Sequence, residues 1–457
     1  MISYFSRKWI CVGLLLFFLS HSGSARAQPE APSSGSLSLS EAIQIALTHN
    51  PLIDEVQAQV DISDERIVQA RSGFMPRIDA SGAYNRTTNP AQAFATKLNQ
   101  TMITRNDFDP DRLNDPDAID NYAGRLTAVW PLYDSGRTWY GMQQAELGQQ
   151  ETSLGMRRMH QRVIAQTVVT YVGLLMASET LIIFEQSLKT ARANQEMVKS
   201  RYESGFVVKS DLLRAQVHIA NLEQQRLQAA SQVEITKAQL NAAMGVEIDC
   251  QFELTDRLDA KQGIAAPLER WIEIALDQRA DLKQIDLQLS AAEKEIKKTH
   301  AAYLPSLNLA GNYEVNTESF DESADNYTVG AVVTFNIFSG NNTSAKVREA
   351  KAAQTQIQAL RRNLKQRVLV ETRQAYLQAD NAWRRIEVAR VAVTQAEEAL
   401  RIVGNRYKNG LFTIVDLLNS ELALLQTHTN YLQAIHDYKV AKANLMLAAG
   451  NLDENFK

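Results

Sequence analysis

The densest group of potential ligands in the chain is Arg105 to Asp120, RNDFDPDRLNDPDAID, with six aspartates. Asp107-x-Asp109-x-Asp111 opens like a calcium loop, in which alternate carboxylates supply oxygens to a hard cation. Such a loop needs glycine at its sixth position and glutamate at its twelfth, and Arg112 and Ala118 stand there. The run is therefore expected to be an exposed acidic loop between two strands. His428 and His436 lie eight apart on one expected helix and are expected to be solvated or packed rather than ligating. No HExxH, GxSxG, P-loop or SxxK pattern occurs. No catalytic, cofactor-binding or metal-ligating residue is assigned, and an enzyme is not expected. Asp211 and Asp416 have an ordinary reading as helix-start residues, with Ser210 as a cap.

The whole chain sets limits on the partners. It has 457 residues, 48 basic and 52 acidic, for a net charge of −4. An even balance of this kind argues against nucleic acid as a partner. Arg7 and Lys8, an apolar run to Leu19 and Ala25-Arg26-Ala27 form an export signal over residues 1–27. Its removal leaves a mature charge of −7 and Cys250 as the remaining cysteine, so no internal disulfide is expected. The best candidate for a membrane-spanning helix, Val168 to Phe184, is interrupted by Glu179 and is better read as a buried part of a longer helix.

The elements that carry these residues occur twice. Glu41 to Tyr84 matches Arg270 to Tyr313 at an offset of 229, aligning Met75-Pro76 with Leu304-Pro305 and Tyr84 with Tyr313. Arg201-Tyr202-Glu203-Ser204-Gly205 matches Arg406-Tyr407-Lys408-Asn409-Gly410, Asp211-Leu212-Leu213 matches Asp416-Leu417-Leu418, and Gly245 matches Gly450, at an offset of 205. The first copy thus carries about 24 extra residues between Tyr84 and Trp130. The expected units are a tail (28–39), a first repeat (40–245), a linker or equatorial segment (246–265), a second repeat (266–450) and a C-terminal tail (451–457).

Each repeat has one order of elements. A helix starts near Ser40, breaks at Asn50-Pro51 and stops at Met75-Pro76. The apolar period then changes to two, giving β-hairpins at 77–133 and 306–338. Proline-free runs follow at 137–203 and 341–408, each long enough for a helix of about 100 Å. Gly205 and Gly410 end them, and return helices run over 210–245 and 415–449. Leu411, Val415, Leu418, Leu422, Leu425, Thr429 and Leu432 step like a coiled-coil seam; Leu213, Val217, Ala220, Gln224 and Leu227 repeat it more weakly.

The expected fold is mainly α with a small β part. Four strands of about ten residues are long enough to cross an outer membrane. Four strands cannot close a barrel, and open edges are not tolerated in lipid. Several chains would have to share one barrel, with the helical hairpins forming a tube below it.

With these motifs in place, the chain resembles the TolC family of outer-membrane channel proteins, the exit ducts of efflux pumps and type I secretion systems. The resemblance rests on Ser38-Leu39-Ser40-Glu41-Ala42, Ala46-Leu47, Asn50-Pro51 and the Arg406 to Leu418 motif, and covers nearly all of the mature chain. It implies a homotrimer, a shared twelve-stranded barrel in outer-membrane lipid, and a periplasmic adaptor that links the duct to an inner-membrane transporter. It implies no cofactor. It also implies a closed periplasmic gate, with Tyr407 at the lock tyrosine, Asp211 at its aspartate partner and Asp416 in an acidic ring. Phe412 stands where the best-known member has arginine, and Asn419 where it has a second aspartate, so a less ionic lock and a less acidic constriction are expected. The hairpin tips, with Tyr202, Gly205, Ser210 and Gly410, would dock the adaptor. The alternative is a periplasmic coiled-coil scaffold with a small soluble sheet.

Overall fold

The computed structural model describes residues 34–457 except 261, 454, 455 and 457, so the export signal lies outside the described residues. Ser34–Leu37 forms β1, followed by helices α1 (Leu39–His49) and α2 (Pro51–Ser72). Strand β2 (Arg77–Thr87) leads through α3 (Pro90–Asn99) and α4 (Pro110–Asn114) to β3 (Ile119–Tyr133). Then come α5 (Arg137–Glu203), α6 (Lys209–Met244) and β4 (Gln251–Leu254). The same order returns in α7 (Leu268–Gln278), α8 (Ala280–His300), β5 (Ser306–Thr317), β6 (Ala324–Thr334), α9 (Asn342–Lys408) and α10 (Ile414–Ala449).

The two long helices have 67 residues each, and their return helices 36 each. At about 1.5 Å per residue the long ones run about 100 Å. The middle of α5, from Ile164 to Leu175, lies in the main core. This accounts for the first half of the Val168 to Phe184 run; its second half is only half-buried, and Ile182 is 56% exposed.

Both halves fix their return helix in the same way. Asn50, at the break between α1 and α2, donates its side-chain amide to the Ala243 carbonyl at 2.7 Å. Arg279, at the break between α7 and α8, donates Nη1 to the Ala448 carbonyl at 3.2 Å. The acceptors lie 205 residues apart, the donors 229, matching the two sequence offsets. Gly245 and Gly450 follow these carbonyls with φ of +75° and +74°. A Cβ on Gly245 would lie 2.3 Å from the His49 carbonyl oxygen.

Sheet order is β2-β3-β5-β6, all antiparallel, with β2 and β6 at open edges. The register separates two faces. Ile78, Tyr84, Tyr122, Leu126, Trp130, Tyr313, Tyr327 and Val329 share one; Asp79, Ser81, Asn85, Arg125, Asn312, Glu314 and Thr328 share the other. Arg125 and Glu314 pair across strands on the polar face at 2.9 Å.

Several local expectations change. Ser38, not Ser40, caps α1: its hydroxyl accepts from the Glu41 amide while Glu41 bonds back, a complete capping box. Within the expected tail and linker, Ser34–Leu37 and Gln251–Leu254 pair in parallel as β1 and β4. Tyr171 fastens that pair, its one hydroxyl proton shared between the Leu37 carbonyl at 2.9 Å and Asp256 at 2.8 Å. The C-terminal segment buries Leu452 and Phe456 in the main core. The acidic run is mostly exposed, as expected, but it carries short helices and local ties. Asp107 pairs with Lys97 at 2.8 Å and closes a capping box with Thr104, and Asp109 caps α4.

The seams also differ. On α10 the buried stripe is Ile414, Leu417, Leu425, Leu432 and Ile435, while Val415 and Leu422, and Leu411 in the turn before it, are exposed. On α6, Ala215, Leu222, Ala229 and Thr236 face inward, and Leu213, Val217 and Leu227 face out. The sequence periodicity marked apolar stripes that one chain leaves uncovered.

Candidate gate at the hairpin tips

Each long helix ends on a left-handed glycine. At the first tip the Phe206 amide bonds the Arg201 carbonyl at 2.8 Å and the Gly205 amide bonds that of Tyr202 at 3.0 Å. At the second the same pair is Leu411 to Arg406 at 2.9 Å and Gly410 to Tyr407 at 3.0 Å. Both are Schellman turns, which satisfy the last free carbonyls and require the positive φ that glycine provides.

A small apolar cluster joins the two tips. Val198 from α5 packs with Tyr407 from α9 and Ile414 and Leu417 from α10, with Leu212 and Phe412 at its margin. Arg201 ties this cluster to the chain end of α9. Its Nη1 donates to the Tyr407 carbonyl at 2.9 Å, its Nη2 to the Lys408 carbonyl at 2.8 Å, and its guanidinium lies 5.2 Å from the Tyr407 ring centre. A cation at the carbonyl end of a helix also meets the negative end of its dipole.

The expected lock is drawn differently within one chain. Tyr407 is 3% exposed, yet its hydroxyl has no hydrogen-bond partner, so it makes no bond to Asp211. Burial pushes the phenol up; Arg201 opposes this, and the Asp211 charge adds to it. Phe412 is half-buried, with Arg406 stacked 5.5 Å from its ring centre. Tyr202, the counterpart of Tyr407, is exposed, as are Ser210 and Asn419.

The two aspartates part company. Asp416 is the third residue of α10 and completes a capping box with Thr413, accepting from its amide at 2.9 Å and from its hydroxyl at 2.6 Å. These two bonds, the hydroxyl's first, hold its carboxyl below the usual range. At the matching cap of α6 stands Val208, which has no side chain for the job, and Ser210 does not cap. Asp211 is thus left outside any capping box, half-buried at the start of α6.

Farther from the tips, residues absent from the sequence reading join the hairpins. Glu421 of α10 accepts from Asn194 of α5, and His218 Nε2 of α6 lies 3.3 Å from its carboxylate. The signal was present: Glu421 falls on the inward stripe of α10, between Leu417 and Leu425. Arg201 was also visible as the first residue of a repeated Arg-Tyr pair, but nothing in the repeat shows it reaching across. Among the described residues no group of three or more His, Cys, Asp or Glu is placed to hold a metal.

The model of the family described as "Outer membrane efflux protein" matches residues 42–246 and 271–451. This chain belongs to that family. Its function class, an outer-membrane channel for efflux or secretion, follows from that membership. Among the relatives, the alkaline protease secretion protein AprF of Pseudomonas aeruginosa is 23% identical over 427 residues, covering 92% of this chain and 85% of that protein. The outer membrane protein TolC of Vibrio cholerae is 24% identical, covering 91% of both. The crystal structure of the Campylobacter jejuni CmeC outer membrane channel matches the fold with a TM-score of 0.76 at 17% identity, over 91% of this chain and 86% of that one. The scaffold alternative is set aside, since the family is one of channel proteins.

Proposed function

We propose that three copies of this chain form one duct, with a twelve-stranded barrel in the outer membrane and a periplasmic helical tube closed at the hairpin tips. The observation that carries this is the four-stranded sheet: a polar face, an apolar face and two unpaired edges. An exposed sheet of this kind is satisfied in lipid only by closure, and twelve strands leave a lumen that the polar face can line. The outward stripes on α6 and α10 give neighbouring chains an apolar seam to cover. The repeated Asn50 and Arg279 contacts support an origin by internal duplication.

In this reading residues 1–27 are the export signal and most of the chain is periplasmic. Tyr202, Gly205, Ser210 and Gly410 present the tips to a periplasmic adaptor, and through it to an inner-membrane transporter. Tyr407 and Arg201 hold the tip closed, with Asp211, Phe412, Asp416 and Asn419 around the constriction. The test is membrane fractionation followed by planar-bilayer recording. Outer-membrane location and discrete cation-preferring conductance support the reading; a soluble periplasmic protein without conductance overturns it.

A further inference from the structure

We infer that residues 88–118 form a lid over the outer mouth of the duct, a second constriction separate from the hairpin tips. This rests on the shared-barrel reading above. The helices join one end of the sheet, and the insert joins β2 to β3 at the opposite end. From there α3 lies against β3 and also reaches β6, at the far edge of the sheet. With β5 between them, the helix crosses the sheet rather than hanging beside it.

It crosses on the polar face. Ile119 and Asn121 on β3, Asn316 on β5 and Ala324 on β6 are buried; the fifth buried residue of the described sheet, Thr317, lies on the other face and bonds within its own hairpin. The register places all four on the face of Arg125 and Glu314, at the outer end of their strands. Gln100, at the end of α3, donates to the Asp120 carbonyl at 2.8 Å and to Asn121 Oδ1 at 2.9 Å. Asn121 in turn donates to Asn316 Oδ1 at 2.8 Å. The insert is also built as a unit, with Lys97 paired to Asp107 and Phe94 edge-on to Phe108 at 5.7 Å.

In a barrel the polar face is the lumen face, so the helix lies inside the bore. Twelve strands about 4.8 Å apart and tilted by about 40° enclose a bore of roughly 24 Å between backbones. A helix with its side chains is about 10–12 Å across. Three of them, one per chain, span most of the radius and reduce the mouth to gaps between side chains.

The test reads access from outside the cell, which the tips do not control. Ser81→Cys on the polar face, with Cys250→Ser, is labelled in intact cells by a small maleimide and by a bulky polymer-linked one. Two variants change the lid: replacement of residues 91–117 by a short Gly-Asn turn, and Gln100→Ala at full length. The bulky reagent should react several-fold faster after the replacement and at an intermediate rate in Gln100→Ala, with the small reagent unchanged. Equal bulky-reagent rates with and without the insert overturn the lid. If the small reagent reaches Ser81→Cys in neither protein, Ser81 does not line a lumen, and the barrel reading falls together with the lid.

Discussion

Arg201 of the first hairpin donates to the Tyr407 carbonyl of the second while lying over the Tyr407 ring. The tie between the hairpins therefore runs through the backbone and ring of Tyr407, not through its hydroxyl. Charge-assisted hydrogen bonds of this kind contribute about 1.5–3 kcal/mol each.

Arg201→Ala should loosen the tip and raise single-channel conductance. Tyr407→Phe should change it little, because the hydroxyl has no partner to lose within the chain. The reverse order in planar bilayers would restore the hydroxyl as the lock.

Val208→Thr should build the cap that α6 lacks. Val208 has φ −86° and ψ 158°, against −87° and 163° at Thr413, and Asp211 stands three residues on, as Asp416 does. A new capping box should add about 1 kcal/mol of local stability. Hydrogen exchange at the first amides of α6 should slow by about five-fold, with 1.4 kcal/mol counting as ten-fold. Unchanged exchange would mean that Asp211 is held elsewhere.

The cap of α10 should be insensitive to mild acid. The Asp416 carboxyl is lowered from 3.8 by its bonds to Thr413. A depressed carboxyl contributes stability above its unfolded value and loses it as pH falls through the folded value. The protection factor of the Leu417 amide, which divides out the intrinsic pH dependence of exchange, should stay flat from about pH 7 to about pH 5 and fall only below the usual aspartate range. Fraying at pH 5 would place the carboxylate outside the box.

Two glycines should differ sharply. Gly205→Ala meets only the backbone cost of a left-handed residue, about 1–2 kcal/mol, because nothing lies within 4 Å of its new Cβ. Gly245→Ala meets that cost and the His49 carbonyl as well. Urea midpoints should fall much further for Gly245→Ala, and equal losses would show that the helix break at Asn50 gives way.

Much of this architecture was legible because it depends on local chemistry. Gly205 and Gly410 mark their helix ends, prolines stop the helices before β2 and β5, and a change of period marks the strands. The burial of seams was not legible. Leu213, Val217, Leu411 and Val415 have the right spacing, but spacing cannot say whether the covering partner belongs to the same chain. Long-range contacts were missed for a related reason. Neither the β1–β4 pair nor the reach of Arg201 leaves a periodic signal. The exposure of the acidic insert was legible from its composition, but its short helices, capped by Asp107 and Asp109, and the Lys97–Asp107 pair were not.

The central claim is that edges β2 and β6 of neighbouring chains pair to close a ring of three. Cysteines placed in pairs, one on β2 and one on β6 at varied register, with Cys250→Ser, test it most directly through disulfide formation in outer membranes. The account predicts that a matched pair gives a covalent species of three chains on a denaturing gel, while either single cysteine gives none. A series that yields only single chains, or a ladder without an end at three, would contradict it.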